Sequence, residues 1–171
     1  QRDFEPVAQP QPIDFRDPVL EQRIREAVGI PTGDITLNDT RAVTELSLGN
    51  PAQEDYPAEK KIRDISALKY FPKLFKLELY FHDIEWIHVA RALPELGILD
   101  LNGNKVADLL PLVYCPAMKS LNLSGNQCNT EGLEPLLALT QLEWLDVSHC
   151  PNVGNVDALK GMASLDTLVW N

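Results

Sequence analysis

The chain has 171 residues, 44% of them hydrophobic, and 25 acidic against 15 basic side chains, for a formal net charge of −10. That size and composition fit one folded domain and exclude wholesale disorder. The acidic balance disfavours nucleic acid and anionic lipid, which are held through Lys and Arg, and suits a partner with a basic or polar surface. No apolar run approaches the roughly 20 residues of a bilayer span, so direct membrane insertion is not expected. No signal-peptide pattern opens the sequence. The three cysteines, Cys115, Cys128 and Cys150, are an odd count without CxxC spacing, so neither a disulfide framework nor a zinc site is expected.

Residues 1–16, QRDFEPVAQPQPIDFR, carry three prolines and no sustained apolar period. Prolines prevent a helix or central strand there, which predicts an extended leader or linker, with Phe4, Ile13 and Phe15 able to dock on the body. Residues 17–42 read as an N-terminal helical cap. Asp17 can cap a helix begun by Pro18, Leu20, Ile24, Ala27 and Val28 form one stripe, and Gly29 and Pro31 end it. A solenoid needs such a piece, because its first repeat has no neighbour on one side.

From residue 43 to residue 171 the chain repeats, five times and part of a sixth. LGILDLNGN, from Leu96 to Asn104, and MKSLNLSGN, from Met118 to Asn126, share one spacing. Equivalent starts fall at Val43, Leu74, Leu142 and Leu165, and from the second repeat onward the periods are 22, 22, 24 and 23 residues. Each start predicts a short strand whose fourth and sixth residues enter the core while the third, fifth and seventh face solvent. Asn104 and Asn126, at the ninth place, can satisfy backbone groups where the chain leaves the sheet. His82 and Cys150 hold that place in the second and fifth repeats. The return paths suit short helical or 3₁₀ turns, with IEWIHVARAL and EGLEPLLAL as the best candidates for real helices.

On these motifs the chain, from residue 17 to its end, resembles the leucine-rich repeat family. LxxLxLxxN is met by the third and fourth repeats, and the cap followed by VTELSLGN is similar to the junction in bacterial internalin-like proteins. The resemblance implies an α/β fold: a curved right-handed β–α solenoid with a short parallel sheet on its concave face. It also implies a recognition surface, no enzyme activity, and a bacterial surface or secreted location, although three reduced cysteines favour a cytoplasmic alternative. Two features depart from the pattern. The first repeat swells by about nine residues between Asn50 and Lys61 relative to a regular period. No second cap follows Trp170 and Asn171, so the edge of LDTLVWN is covered by another chain, tolerated open, or continued by further sequence, and pairing with another copy is the structural or adhesive alternative.

Outward strand positions are the candidate ligand site. Tyr80, Phe81, Ile98 and Trp144 are apolar groups with no core to enter, and Glu78, Asp100 and Asp146 form a carboxylate row suited to a basic protein or peptide. Tyr56, in the swollen loop, is the second candidate. Catalytic residues, cofactors and metals are not expected. His82 and His88 lack metal-pair spacing, Cys150 falls on an inward position, and the NGN and SGN turns are not phosphate loops.

Overall fold

Each repeat puts its fourth and sixth residues on one side of a three-residue strand, and burial follows that alternation. The computed structural model describes residues 10–51 and 56–171. Phe4, expected to dock, lies outside the described residues, as do residues 52–55 of the swollen loop. The strands are β1 (Glu45–Ser47), β2 (Lys76–Glu78), β3 (Ile98–Asp100), β4 (Ser120–Asn122), β5 (Trp144–Asp146) and β6 (Thr167–Val169). They form one parallel sheet in chain order. Leu46, Leu77, Leu99, Leu121, Leu145 and Leu168 share one register row. These are the positions that the leucine spacing predicts.

The cap is as expected and extends further toward the N-terminus. Helix α1 (Pro18–Val28) begins at Asp17 and ends at Gly29, whose φ of 72° is the left-handed conformation glycine adopts without strain. Leu20 and Ile24 enter the core, but Ala27 is exposed. Asp17 does more than cap. Its Oδ1 accepts the N–H groups of Val19 and Leu20, and its Oδ2 accepts those of Arg63 and Asp64 at 2.8 and 3.0 Å. One carboxylate thus ties the helix start to the return path of the first repeat. Ile13 and Phe15 are buried, and Ile13 N–H donates to Ile35 O at 2.8 Å. The last residues of the segment read as a leader are therefore packed on the cap.

The convex side corrects the expected helices. IEWIHVARAL contains only a 3₁₀ segment, His88–Ala92, and EGLEPLLAL another, Glu131–Ala138, with Pro135 inside it. Strands stack about 4.8 Å apart, whereas an α-helix with its side chains is about 10 Å wide, so narrower turns keep successive repeats in contact. The inward residues of these paths, among them Ile84, Ile87, Ala90, Val106, Leu109 and Leu112, join the strand leucines in one core.

A ladder of side chains at the ninth place locks each turn to the repeat before it. Asn104 Oδ1 accepts Ile84 N–H at 3.0 Å, and its Nδ2 donates to Leu79 O at 2.8 Å. Asn126 repeats both bonds with Val106 N–H and Leu101 O, at 2.9 and 2.8 Å. His82 performs the same task with a ring: Nδ1 accepts Ile62 N–H at 2.9 Å and Nε2 donates to Leu48 O at 2.6 Å. These bonds settle the neutral tautomer, and burial pushes the His82 pKa below its ordinary value.

Candidate binding face

The residues left outside the core are set by the same register. In the third-place row Lys76, Ile98, Ser120 and Trp144 lie side by side, and in the fifth-place row Glu78, Asp100, Asn122 and Asp146 do. All eight are partly exposed, whereas the leucines between them are buried. The structure does not gather the four apolar candidates into one cluster. Ser120 separates Ile98 from Trp144, about 10 Å apart at strand spacing. Tyr80 and Phe81 sit at the other end of the strands and meet edge to face, ring centroids 5.9 Å apart.

Both rings depend on glycine neighbours. A β-carbon on Gly49 would come within 2.4 Å of the Tyr80 ring, and one on Gly103 within 2.5 Å of Phe81. Tyr80 therefore lies across the first repeat and Phe81 across the third. The eighth place of four repeats turns through positive φ: Phe81 at 59°, Gly103 at 69°, Gly125 at 71° and His149 at 54°. A bulky phenylalanine in that conformation costs on the order of 1 kcal/mol relative to glycine. Backbone preference therefore does not account for a phenylalanine at this place.

The fifth-place row has a structural task as well. Asp100 Oδ1 accepts Asn102 N–H at 2.9 Å, Asn122 Oδ1 accepts Ser124 N–H at 3.0 Å, and Asp146 Oδ1 accepts Ser148 N–H at 2.8 Å. An asparagine serves there as well as an aspartate, so the charge on Asp100 and Asp146 is additional to the turn. Burial, and then the charges of Glu78 and Asp146, raise the Asp100 pKa above the ordinary carboxylate value against the lowering by Asn102 N–H. Glu78 is partly neutralised along its own strand, with Lys76 Nζ 3.4 Å from its Oε1.

Tyr56 is half-buried and lines a groove of about 520 Å³ between the swollen loop and α1, with Arg23, Glu26 and Lys60. Arg23 also donates to Leu48 O and Gly49 O, and its guanidinium bonds Asn50, so this groove abuts the turn that Tyr80 covers. Trp86 is a further exposed aromatic group outside the concave face. It is 55% exposed on the convex side, stacked on His88 with centroids 5.4 Å apart, beside a groove of about 350 Å³. The signal was present in IEWIHVA, where Ile84, Ile87 and Ala90 pointing inward leave Trp86 and His88 pointing out. Among the described residues no group of three His, Cys, Asp or Glu side chains could hold a metal ion, and no helix is long and apolar enough to cross a membrane.

No protein-family model and no curated protein matches the sequence. Solved structures do match in shape. An internalin from Listeria monocytogenes superposes with a TM-score of 0.73 at 20% identity, over 95% of this chain and 53% of its own. A secreted internalin-like protein of the same species gives 0.67 at 19%, over 98% of this chain and 60% of its own. The chain therefore spans little more than half the length of either. A plant peptide hormone receptor gives 0.51 at 26%, over 60% of this chain and 17% of its own. The fold is thus an internalin-like leucine-rich repeat solenoid with a helical N-terminal cap.

Proposed function

We propose that the chain is a non-enzymatic binding module whose concave face takes a protein or peptide. Tyr80, Phe81, Ile98 and Trp144 make the apolar contacts, and Glu78, Asp100 and Asp146 select basic groups. The observation that carries this reading is the in-register row Glu78, Asp100, Asn122 and Asp146 on an open sheet face, with the Asp100 pKa raised by burial and then by the charges of Glu78 and Asp146. An arginine or lysine laid across the row offsets that repulsion and takes the carboxylate oxygens that the turns leave free. Half-buried aromatic groups beside such a row suit hot-spot contacts. The plant neighbour, a peptide hormone receptor, is consistent with a peptide ligand. The Listeria neighbours, one of them secreted, favour an extracellular or cell-surface location over the cytoplasmic alternative. The groove at Tyr56 is the secondary contact.

The test is binding of a displayed library of basic peptides and of surface proteins from a candidate host. Wild type is compared with Tyr80→Ala/Trp144→Ala and with Asp100→Asn/Asp146→Asn. Each double variant is expected to lose about tenfold or more in affinity. Unchanged affinity in both would overturn the site.

A second reading rests on β6, where Val169 and Trp170 are 38% and 42% exposed. Pairing of that strand with another copy would make the array a structural or adhesive element. Light scattering across a concentration series checks it, and a concentration-independent monomer removes it.

A further inference from the structure

The odd cysteine count without CxxC spacing suggests no disulfide framework, and all three thiols are free and buried. Two of them are nevertheless brought together by the ladder. In the third and fourth repeats the ninth-place side chain reaches the backbone N–H of the eleventh residue of the preceding repeat, and in the second it reaches that of Ile62, which follows the swelling of the first repeat. His82 meets Ile62, Asn104 meets Ile84, and Asn126 meets Val106, at 2.9, 3.0 and 2.9 Å. Cys150 is the ninth residue of the fifth repeat, and Cys128 is the eleventh of the fourth. The same geometry sets the Cys150 side chain against the backbone of Cys128, on the neighbouring turn. The parallel bridge between Asn129 and Asn152 holds the two turns side by side. The Cys150 sulfur lies 3.2 Å from Leu123 O and that of Cys128 3.5 Å from Val106 O. Cys115, in the third repeat, is placed differently, near Ala90 O and Leu93 O of the second.

We propose that Cys128 and Cys150 are a disulfide-forming pair, a reversible covalent staple between the fourth and fifth repeats that closes in oxidising surroundings. The Cys128 thiol, helped by the N–H groups of Asn126 and Gly125, lowers the Cys150 pKa below the ordinary thiol value while that of Cys128 is raised, so Cys150 is the first of the two to give its proton to solvent and form a thiolate. That thiolate attacks one sulfur of a small disulfide such as oxidised glutathione, whose S–S bond breaks and releases one thiolate. Cys128 gives up its proton to the released thiolate and attacks the Cys150 sulfur of the mixed disulfide. The protein S–S bond forms and the second small thiol leaves. Two protein thiols are oxidised and one small disulfide is reduced to two thiols.

Cys150 is 5% exposed, and in the adjoining sixth repeat Leu165 and Leu168 are only partly buried, so local opening of that repeat exposes the pair without global unfolding. Closing the bond links residues 22 apart in sequence and restricts the unfolded chain.

The test incubates the full chain with oxidised glutathione and then counts thiols after acid quench and denaturation. The count is expected to fall from three to one, with an intact mass lower by about 2 Da, a Cys128–Cys150 linked peptide and a higher Tm than the reduced protein. Cys115→Ala should still lose two thiols. Cys150→Asn, which restores the ladder asparagine, should lose none. Three persisting thiols, a stable glutathione adduct, a crosslink through Cys115, or loss of two thiols in Cys150→Asn would each overturn the pair.

Discussion

His82 shows how one residue type can stand in for another when its two polar atoms meet the same partners. Its Nδ1 has to stay unprotonated to accept Ile62 N–H. Because burial lowers its folded-state pKa from 6.5, its contribution to stability is fully present above 6.5 and is lost as pH falls from there toward the folded value. His82→Asn keeps both bonds, as Asn104 does, and does not titrate. The urea midpoint of wild type should therefore drop more than that of His82→Asn between pH 7.5 and pH 5. Asp100 has the opposite sign. Its raised pKa means that its ionised form costs stability, a cost absent below the ordinary Asp value of 3.8 and growing as pH rises through the folded value. Asp100→Asn retains the turn bond, as Asn122 does, so it should raise Tm at pH 7 with a smaller gain at pH 4. Affinity for a basic ligand should fall in the same variant. A stability gain with affinity unchanged would separate the carboxylate row from binding. Which outward residues exist was legible from strand alternation. That Asp100 accepts Asn102 N–H was not, because an acidic residue two positions before a turn has no distinctive spacing.

Among the elements, α1 was the most legible, since Asp-Pro at its start and Gly-x-Pro at its end follow from orphan N–H groups and the left-handed terminus. Its attachment was not legible. Asp17 Oδ2 reaches Arg63 and Asp64, 46 and 47 residues away. Asp17→Ala removes the cap and leaves two further N–H groups without their acceptor. It should cost about 2–4 kcal/mol by chemical denaturation, against about 1 kcal/mol for an ordinary cap. The convex turns were the least legible element. EGLEPLLAL carries good helix formers, but the width available per repeat is a property of the stack, and it selects 3₁₀ turns.

At the scale of the whole molecule, the array is a one-dimensional stack in which each repeat contacts its neighbours, so stability should grade along it. Core leucines of β3 to β5 are 4% exposed or less, whereas Leu165 and Leu168 of the last repeat are only partly buried. Native-state hydrogen exchange should protect the amides of β3 and β4 by nearly the global unfolding free energy and those of β6 by much less. Equal protection along the sheet would show instead that the array opens as one unit. The same gradient lets an oxidant reach Cys150 from the β6 end, whereas Cys115 lies nearer the middle.

By itself the sequence determined the repeat register, the cap, and which residues turn inward, because strand alternation and helix capping are local and recur with the chain's own period. Tertiary structure decided what lies beside what. It separated Ile98 from Trp144, laid Tyr80 across Gly49, set Trp86 on His88 and placed the turns of Cys128 and Cys150 side by side. Lateral neighbours in a solenoid are about 22 residues apart, so their contacts depend on how whole repeats stack and leave no mark in any short window of sequence.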